Sequence, residues 1–317
     1  MSVIDLINAE PRTAFSFEIL PPLKGTGINR LLKDIEMLQA YDPKYINITT
    51  HRSEYVYRPE SNGMYFRKLT RRRPGTVAVA AAIKAKFGIT VVPHILCSGY
   101  TAEEIEYTLI DLQFLGITDL LVLRGDKAPH QKNFIPEEGG HSHAIDLEHQ
   151  INRYNEGFFF DGEELGTLPE PFHFGVAGYP EKHEESPNCE RDLYWLKQKV
   201  DAGAEYVVTQ MFFDNQKFFD FVERAREAGI TVPIIPGIKP FKKLSQLNIL
   251  PRTFKIDLPE ALAVEAGRCK DDDAAAEVGK EWCINQCREL MAHGVPSIHF
   301  YTSGAVKTIA EIAKAVY

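Results

Sequence analysis

What most constrains this chain is an alternation that runs from one end to the other, in which a short β-rich run is followed by a longer stretch of helical periodicity. Ala14–Ile19, Tyr45–Thr49, Thr90–His94, Leu120–Leu123, His173–Ala177, Tyr206–Thr209, Val232–Pro236 and Ser297–Tyr301 read as strands. Helical patterns follow them at 28–41, where Leu31, Leu32, Ile35 and Leu38 share one face, and at 77–87, 101–115, 144–155, 191–202, 216–228, 242–293 and 305–316. Thr101 with Glu104 predicts a capping box. Gly88, Gly116, Gly203, Gly229 and Gly294 each stand where a helix stops and the next strand begins, a position that favours the left-handed backbone.

Eight strands, each followed by helical sequence, predict a (β/α)8 TIM barrel. No composition break marks a second domain, so residues 1–317 are expected to form a single catalytic domain. The segments 50–75 and 127–142 read as loops of the face where strands end. Residues 155–171, with three glycines, Pro169 and Pro171, read as an irregular excursion before strand five.

With 36 basic against 44 acidic residues, the net charge is −8, which argues against a broad nucleic-acid or membrane footprint. The apolar run Val77–Ile83 is far short of the ~20 residues a membrane helix needs. The N-terminus has no basic region leading into an apolar core. A cytoplasmic protein is expected. The five cysteines are odd in number and scattered, which predicts reduced thiols. Cys283 and Cys287 would share a helix face, but two ligands make no zinc site, and no metal is expected.

Barrel chemistry sits at the C-terminal ends of the strands. Glu18 ends the first strand, Thr49-Thr50-His51 the second and His94 the third. Arg124-Gly125-Asp126 follows the fourth, and Tyr179 to His183 the fifth. Gln210 ends the sixth, Pro236-Gly237 the seventh and His299-Phe300-Tyr301 the eighth. Each has a plain structural explanation: Glu18 could point outward by alternation, His94 could satisfy a backbone carbonyl, and Arg124 and Asp126 could pair on the surface. Their convergence on one rim favours a catalytic reading without naming a reaction.

The same residues carry a resemblance. Phe15-Ser-Phe-Glu-Ile-Leu-Pro-Pro22, Pro93-His94, Leu123-Arg-Gly-Asp126, Ala177-Gly-Tyr-Pro-Glu-Lys-His183, Asp201-Ala-Gly-Ala204 with Thr209-Gln-Met-Phe-Phe-Asp214, Ile235-Pro-Gly-Ile238 and His299-Phe-Tyr-Thr302 resemble, in order and spacing, the motif series of methylenetetrahydrofolate reductases, over roughly residues 12 to 317. The resemblance implies a barrel with non-covalent FAD that reduces 5,10-methylenetetrahydrofolate to 5-methyltetrahydrofolate, feeding methionine synthesis. NADH or NADPH first reduces the flavin and leaves, and the folate then takes a hydride from flavin N5, a ping-pong scheme. It also implies a homo-oligomer, dimer or tetramer. The chain ends just past the eighth βα unit, so the C-terminal regulatory domain of eukaryotic relatives is not expected.

By this resemblance Glu18 is the acid that protonates N10 and opens the imidazolidine ring to an electrophilic iminium. A carboxyl suits that step if burial raises its pKa. Asp126 would bind the pterin and stabilise the developing cation. Gln210, Gln246 and Leu250 would contact substrate. Thr49, His94, Arg124, Gly125, Asp126, His143, Ala144, Tyr179, His183, Asp192 and Lys199 would hold the flavin, Arg124 and Lys199 being suited to phosphate. Asp192 and Lys199, seven residues apart, read equally as a solvated helix face.

The chain departs from the family's pattern in places. Ser303-Gly304-Ala305 stands where many relatives carry Leu-Asn-Arg, which puts an arginine contact in doubt. His143 replaces a tyrosine and Leu250 a phenylalanine of some relatives. Arg67-Lys68-Leu-Thr-Arg71-Arg72-Arg73 is strongly basic in an acidic chain; it reads as a solvated loop or as an attractor for an anionic folate tail or nucleotide phosphate. Other readings are a different barrel flavoenzyme, such as a proline-dehydrogenase-like oxidase, or a flavin-poor or complex-bound relative that works with another electron carrier or as a partner protein.

Overall fold

The computed structural model describes residues 1–128, 131–168 and 170–317, so Pro169 of the excursion lies outside the described residues. The chain begins with helix α1 (Val3–Ala9), which the alternation did not reveal. Ser2 and Asp5 close a capping box around its first turn. Strand β1 (Ala14–Ile19), helix α2 (Asn29–Gln39) and strand β2 (Tyr45–Ile48) follow. The segment expected to be a loop contains a hairpin, β3 (Glu54–Pro59) and β4 (Tyr65–Thr70). Next come α3 (Thr76–Phe87), β5 (Thr90–Leu96), α4 (Ala102–Phe114), β6 (Asp119–Leu123), α5 (Ala144–Asn155), β7 (His173–Gly178), α6 (Cys189–Asp201), β8 (Tyr206–Thr209) and α7 (Asn215–Glu227). The chain then forms β9 (Ile234–Ile235), β10 (Gly237–Ile238), α8 (Gln246–Phe254), α9 (Glu260–Gly267), α10 (Asp272–Ala292), β11 (Ser297–Tyr301) and α11 (Val306–Val316).

Among the described residues the strands form a nine-stranded sheet in the order β10-β11-β1-β2-β5-β6-β7-β8-β9, with the β3-β4 hairpin apart from it. The expected seventh strand, Val232–Pro236, forms as β9, and pairing resumes as β10 beyond Pro236, which has no N–H to give to a ladder. β9 pairs in parallel with β8, and β10 with β11. This is the strand order of a (β/α)8 barrel. Gly88, Gly116, Gly203, Gly229 and Gly294 all take positive φ, as the helix stops require.

Contacts divide the chain into two compact units. The first comprises Met1–Ile19, Asp34–Ile46 and His173–Tyr317; the second comprises Leu20–Lys33 and Asn47–Phe172. In the first, β1 separates two environments by alternation. Phe15 and Phe17 are buried in an aromatic layer in which Phe15 packs on Phe300, Tyr41 and Tyr317, while Ser16 on the opposite face meets His299 Nδ1 at 3.0 Å. Long α10 is fixed at Gly279. A Cβ there would stand 2.0 Å from the Phe241 carbonyl oxygen, so the helix and the backbone just past β10 meet directly. Around them Met211, Phe213, Leu250, Ile256 and Leu262 form a buried cluster.

The second unit holds the pair β5-β6 and the hairpin. Sequence reading missed the hairpin because both its faces are exposed and no apolar alternation marks it. Part of the basic run lies on it. Arg67 sits 4.4 Å over the Tyr55 ring, Arg72 pairs with Glu54 at 2.9 Å, and Arg73 donates to the Pro21 carbonyl. All five cysteines are free thiols; Cys97, Cys283 and Cys287 are buried.

Candidate functional site

In the first unit, Glu18 is the fifth residue of β1 and shares the face of Ser16, so the alternative of an outward-pointing strand carboxylate does not hold. Burial pushes its carboxyl up to about 8, and the nearby Lys239 ammonium pulls the other way. At neutral pH Glu18 therefore carries its proton. Its backbone is pinned by Thr302, whose hydroxyl donates to the Glu18 carbonyl at 2.6 Å. Level with Glu18 across the ladder is Tyr301, whose hydroxyl donates to the Thr209 carbonyl at 2.7 Å. That bond exists because Gly237 has no side chain. A Cβ there would lie 2.2 Å from the Thr209 carbonyl oxygen and 2.8 Å from the tyrosine oxygen.

Tyr179 and Gln210 line one small cavity with Glu181, Phe254 and Ile256. Tyr179 packs edge-on against His183 at 4.8 Å. Gln210 is held between strands by its N–H to the Gly178 carbonyl, and its side-chain oxygen accepts from the Met211 N–H. Gln246 opens α8, where its Oε1 accepts from the Lys242 and Lys243 N–H groups. Leu250 is only 2% exposed and belongs to the buried cluster. Asp192 accepts from the Ser186 hydroxyl, and Lys199 donates to the Ala177 carbonyl at 2.7 Å, so neither is a merely solvated helix residue. Where relatives carry an arginine, Ser303 and Gly304 turn with positive φ, and Lys242 Nζ lies 3.4 Å from the Gly304 carbonyl.

In the second unit, His94 is buried within β5. Burial drops its imidazole to about 3, so it is neutral at physiological pH. Asn47 Nδ2 lies 3.3 Å from His94 Nε2. A donating amide at Nε2 puts the ring proton on Nδ1. Asn47 Oδ1, also buried, has no hydrogen-bond partner among the described residues. Half-buried Thr49 accepts the Thr76 hydroxyl at its carbonyl. Arg124 stacks 4.7 Å over Phe134. Gly125 follows at φ +80°, and the place a Cβ would take is occupied by Ser98 Cβ at 2.8 Å and by Leu96, so the loop backbone packs directly onto the end of β5. Asp126 is exposed, and its carbonyl accepts the Ser98 hydroxyl at 2.7 Å. His143 caps α5, its N–H bonded to Asp146 and its ring exposed; Ala144 begins the helix.

Lys239 is the residue that reading strand ends overlooked. It stands one position beyond β10, half-buried, directly after the Ile235-Pro-Gly-Ile238 motif. Among the described residues no cluster of three or more His, Cys, Asp or Glu side chains could hold a metal, and no helix is long and apolar enough to cross a membrane.

Fold and site together define a (β/α)8-barrel protein that keeps an uncharged carboxyl at the end of its first strand, level with a tyrosine. More particularly, residues 3–316 match methylenetetrahydrofolate reductase, and the chain belongs to that family. It is 30% identical to methylenetetrahydrofolate reductase (NADH) 1 of Arabidopsis thaliana, over 97% of this chain and 49% of that one. It is 31% identical to a probable methylenetetrahydrofolate reductase (NADPH) of Caenorhabditis elegans, over 99% and 43%. The chain thus spans about half the length of these relatives. Against 5,10-methylenetetrahydrofolate reductase of Salmonella typhimurium the identity is 30%, covering 94% of this chain and 88% of that one. An uncharacterized Clostridium thermocellum protein, described as binding two copies of 5-methyl-5,6,7,8-tetrahydrofolic acid, shares the fold with a TM-score of 0.56 at 15% identity, covering 99% of this chain and 97% of that one.

Proposed function

We propose that the chain catalyses flavin-dependent reduction of 5,10-methylenetetrahydrofolate to 5-methyltetrahydrofolate with NADH or NADPH, by a ping-pong scheme. The observation that carries this reading is the protonated Glu18 at the end of β1 in a chain of this family. The closed imidazolidine ring is a poor hydride acceptor, and opening it needs an acid that still holds its proton near neutral pH. Burial gives Glu18 that property.

The second unit's residues fit FAD. Arg124 supplies a cation for phosphate, and Asn47 offers an acceptor that nothing among the described residues satisfies. Thr49, His94, Arg124, Gly125, Asp126, His143 and Ala144 are the residues of this unit assigned to it; Tyr179, His183, Asp192 and Lys199 carry the same assignment by the family's motifs alone. When bound, the flavin supplies the hydride. This chain's own residues do the rest. Glu18 gives its proton to N10, Asp126 accepts from the pterin's N–H groups and stabilises the iminium, and Gln210 and Gln246 orient the substrate, while Leu250, sealed in the buried cluster, holds α8 in place rather than touching substrate. On this reading residues 1–317 work as one cytoplasmic catalytic domain in a homo-oligomer, dimer or tetramer.

Stopped-flow absorbance tests the reading. Each nicotinamide should bleach the flavin, and methylenetetrahydrofolate should restore the colour. Glu18→Gln should slow the second step by about 10²–10⁴-fold and spare the first. Equal losses in both half-reactions would refute the assignment.

A further inference from the structure

Register on three adjacent strands singles out a group that the scheme above does not use. Gly237 lies level with His299 and Ile238 with Phe300. Across the next ladder, Ser16 is level with His299, Phe17 with Phe300 and Glu18 with Tyr301. Continuing β10 by one residue brings Lys239 to the level of Tyr301 and Glu18. Alternation puts all three on one face, the face on which Ser16 meets His299.

Tyr301 has a single O–H, already given to the Thr209 carbonyl across the gap at Gly237, so it is not a donor to Glu18. The cation at this level is Lys239. The two groups act on each other against burial. Burial raises Glu18 and Lys239 lowers it, while burial lowers Lys239 and Glu18 raises it. The other titratable groups nearby do not substitute for it. Tyr301 and Tyr45 are phenols that burial keeps neutral, Tyr179 acts on Tyr301, and Lys242 acts on Lys239. His299, stacked on Tyr45, lies one level below with Ser16.

We propose that Lys239 is a positioning residue for the acid: its ammonium, level with Glu18, stabilises the carboxylate left behind when the proton has gone to the substrate. This rests on Glu18 being the proton donor of the proposed reaction. Glu18 loses a proton to N10 and becomes a carboxylate, Lys239 keeps its own proton throughout, and solvent returns the missing proton before the next turnover. Without the ammonium, Glu18 would hold its proton too tightly to be an efficient acid near neutrality.

The test is a carbon-13 NMR titration of protein labelled at the glutamate carboxyls, with the Glu18 signal assigned by its loss in Glu18→Gln. Lys239→Met, of similar length but uncharged, should raise the Glu18 midpoint by about one pH unit or more. Lys239→Arg, which keeps the charge, should leave it near the wild-type value. A midpoint unmoved by Lys239→Met, or moved as far by Lys239→Arg, would overturn the proposal. Reoxidation of reduced flavin by methylenetetrahydrofolate across pH tests the separate reading of Glu18. Its basic limb should follow the NMR midpoint, and a limb that stays put while the midpoint moves would refute Glu18 as the acid and leave the Lys239–Glu18 coupling standing.

Discussion

Replacing Glu18 by glutamine should stabilise the protein, and by an amount that depends on pH. In the unfolded chain the carboxyl titrates near its ordinary value of 4.5, whereas in the fold burial holds it at about 8. Between these values the folded state keeps a proton that the unfolded chain has released, so this group's contribution to stability falls as pH rises from 4.5 and levels off above 8. The full interval corresponds to about 5 kcal/mol, and to about 2 kcal/mol or more once solvent screening at the rim of the strand is allowed for. Glutamine has the same shape and does not titrate. Urea unfolding of both proteins at pH 5 and pH 9 should give nearly equal stabilities at the lower pH and a clear advantage for Glu18→Gln at the higher. A stability difference that is the same at both pH values would show that Glu18 titrates normally, and the argument for a protonated acid would fall.

Two further outcomes are expected. Gly237→Ala places a methyl against the Thr209 carbonyl and the Tyr301 ring, and should cost ~3 kcal/mol from overpacking and the lost tyrosine hydrogen bond, read as a lower urea midpoint; an unchanged midpoint would refute the tight crossing. Asp126→Asn should raise the flavin potential by about 30 mV, measured by dye equilibration, and weaken folate binding roughly tenfold, measured by calorimetry; unchanged potential and affinity would count against a carboxylate beside flavin and pterin.

Much of the fold was legible because each βα unit writes its period and its stop into the sequence. Gly88 and Gly116 ended helices where expected, and Thr101 with Glu104 formed the predicted capping box. The hairpin was not legible, since Tyr55, Tyr57 and Phe66 are exposed along with the residues between them, leaving no alternation of buried and exposed positions to read. Strand seven was placed but not its break, because the consequence of Pro236 depends on which neighbour each half pairs with. Glu18 could be picked out by position, but that its face of β1 meets His299 and Tyr301, and not solvent, needed the register. Lys239 escaped because its meaning comes from two other strands, and no local pattern marks a residue as level with a distant acid.

The contact at Gly279 gives the acid a remote dependence. α10 rests on the Phe241 backbone, two residues beyond Lys239, with no room for even a methyl between them. Any side chain at 279 must push the segment that leads out of β10, and with it the ammonium that answers Glu18. A neutral-looking change forty residues downstream would thereby retune proton release without touching the substrate.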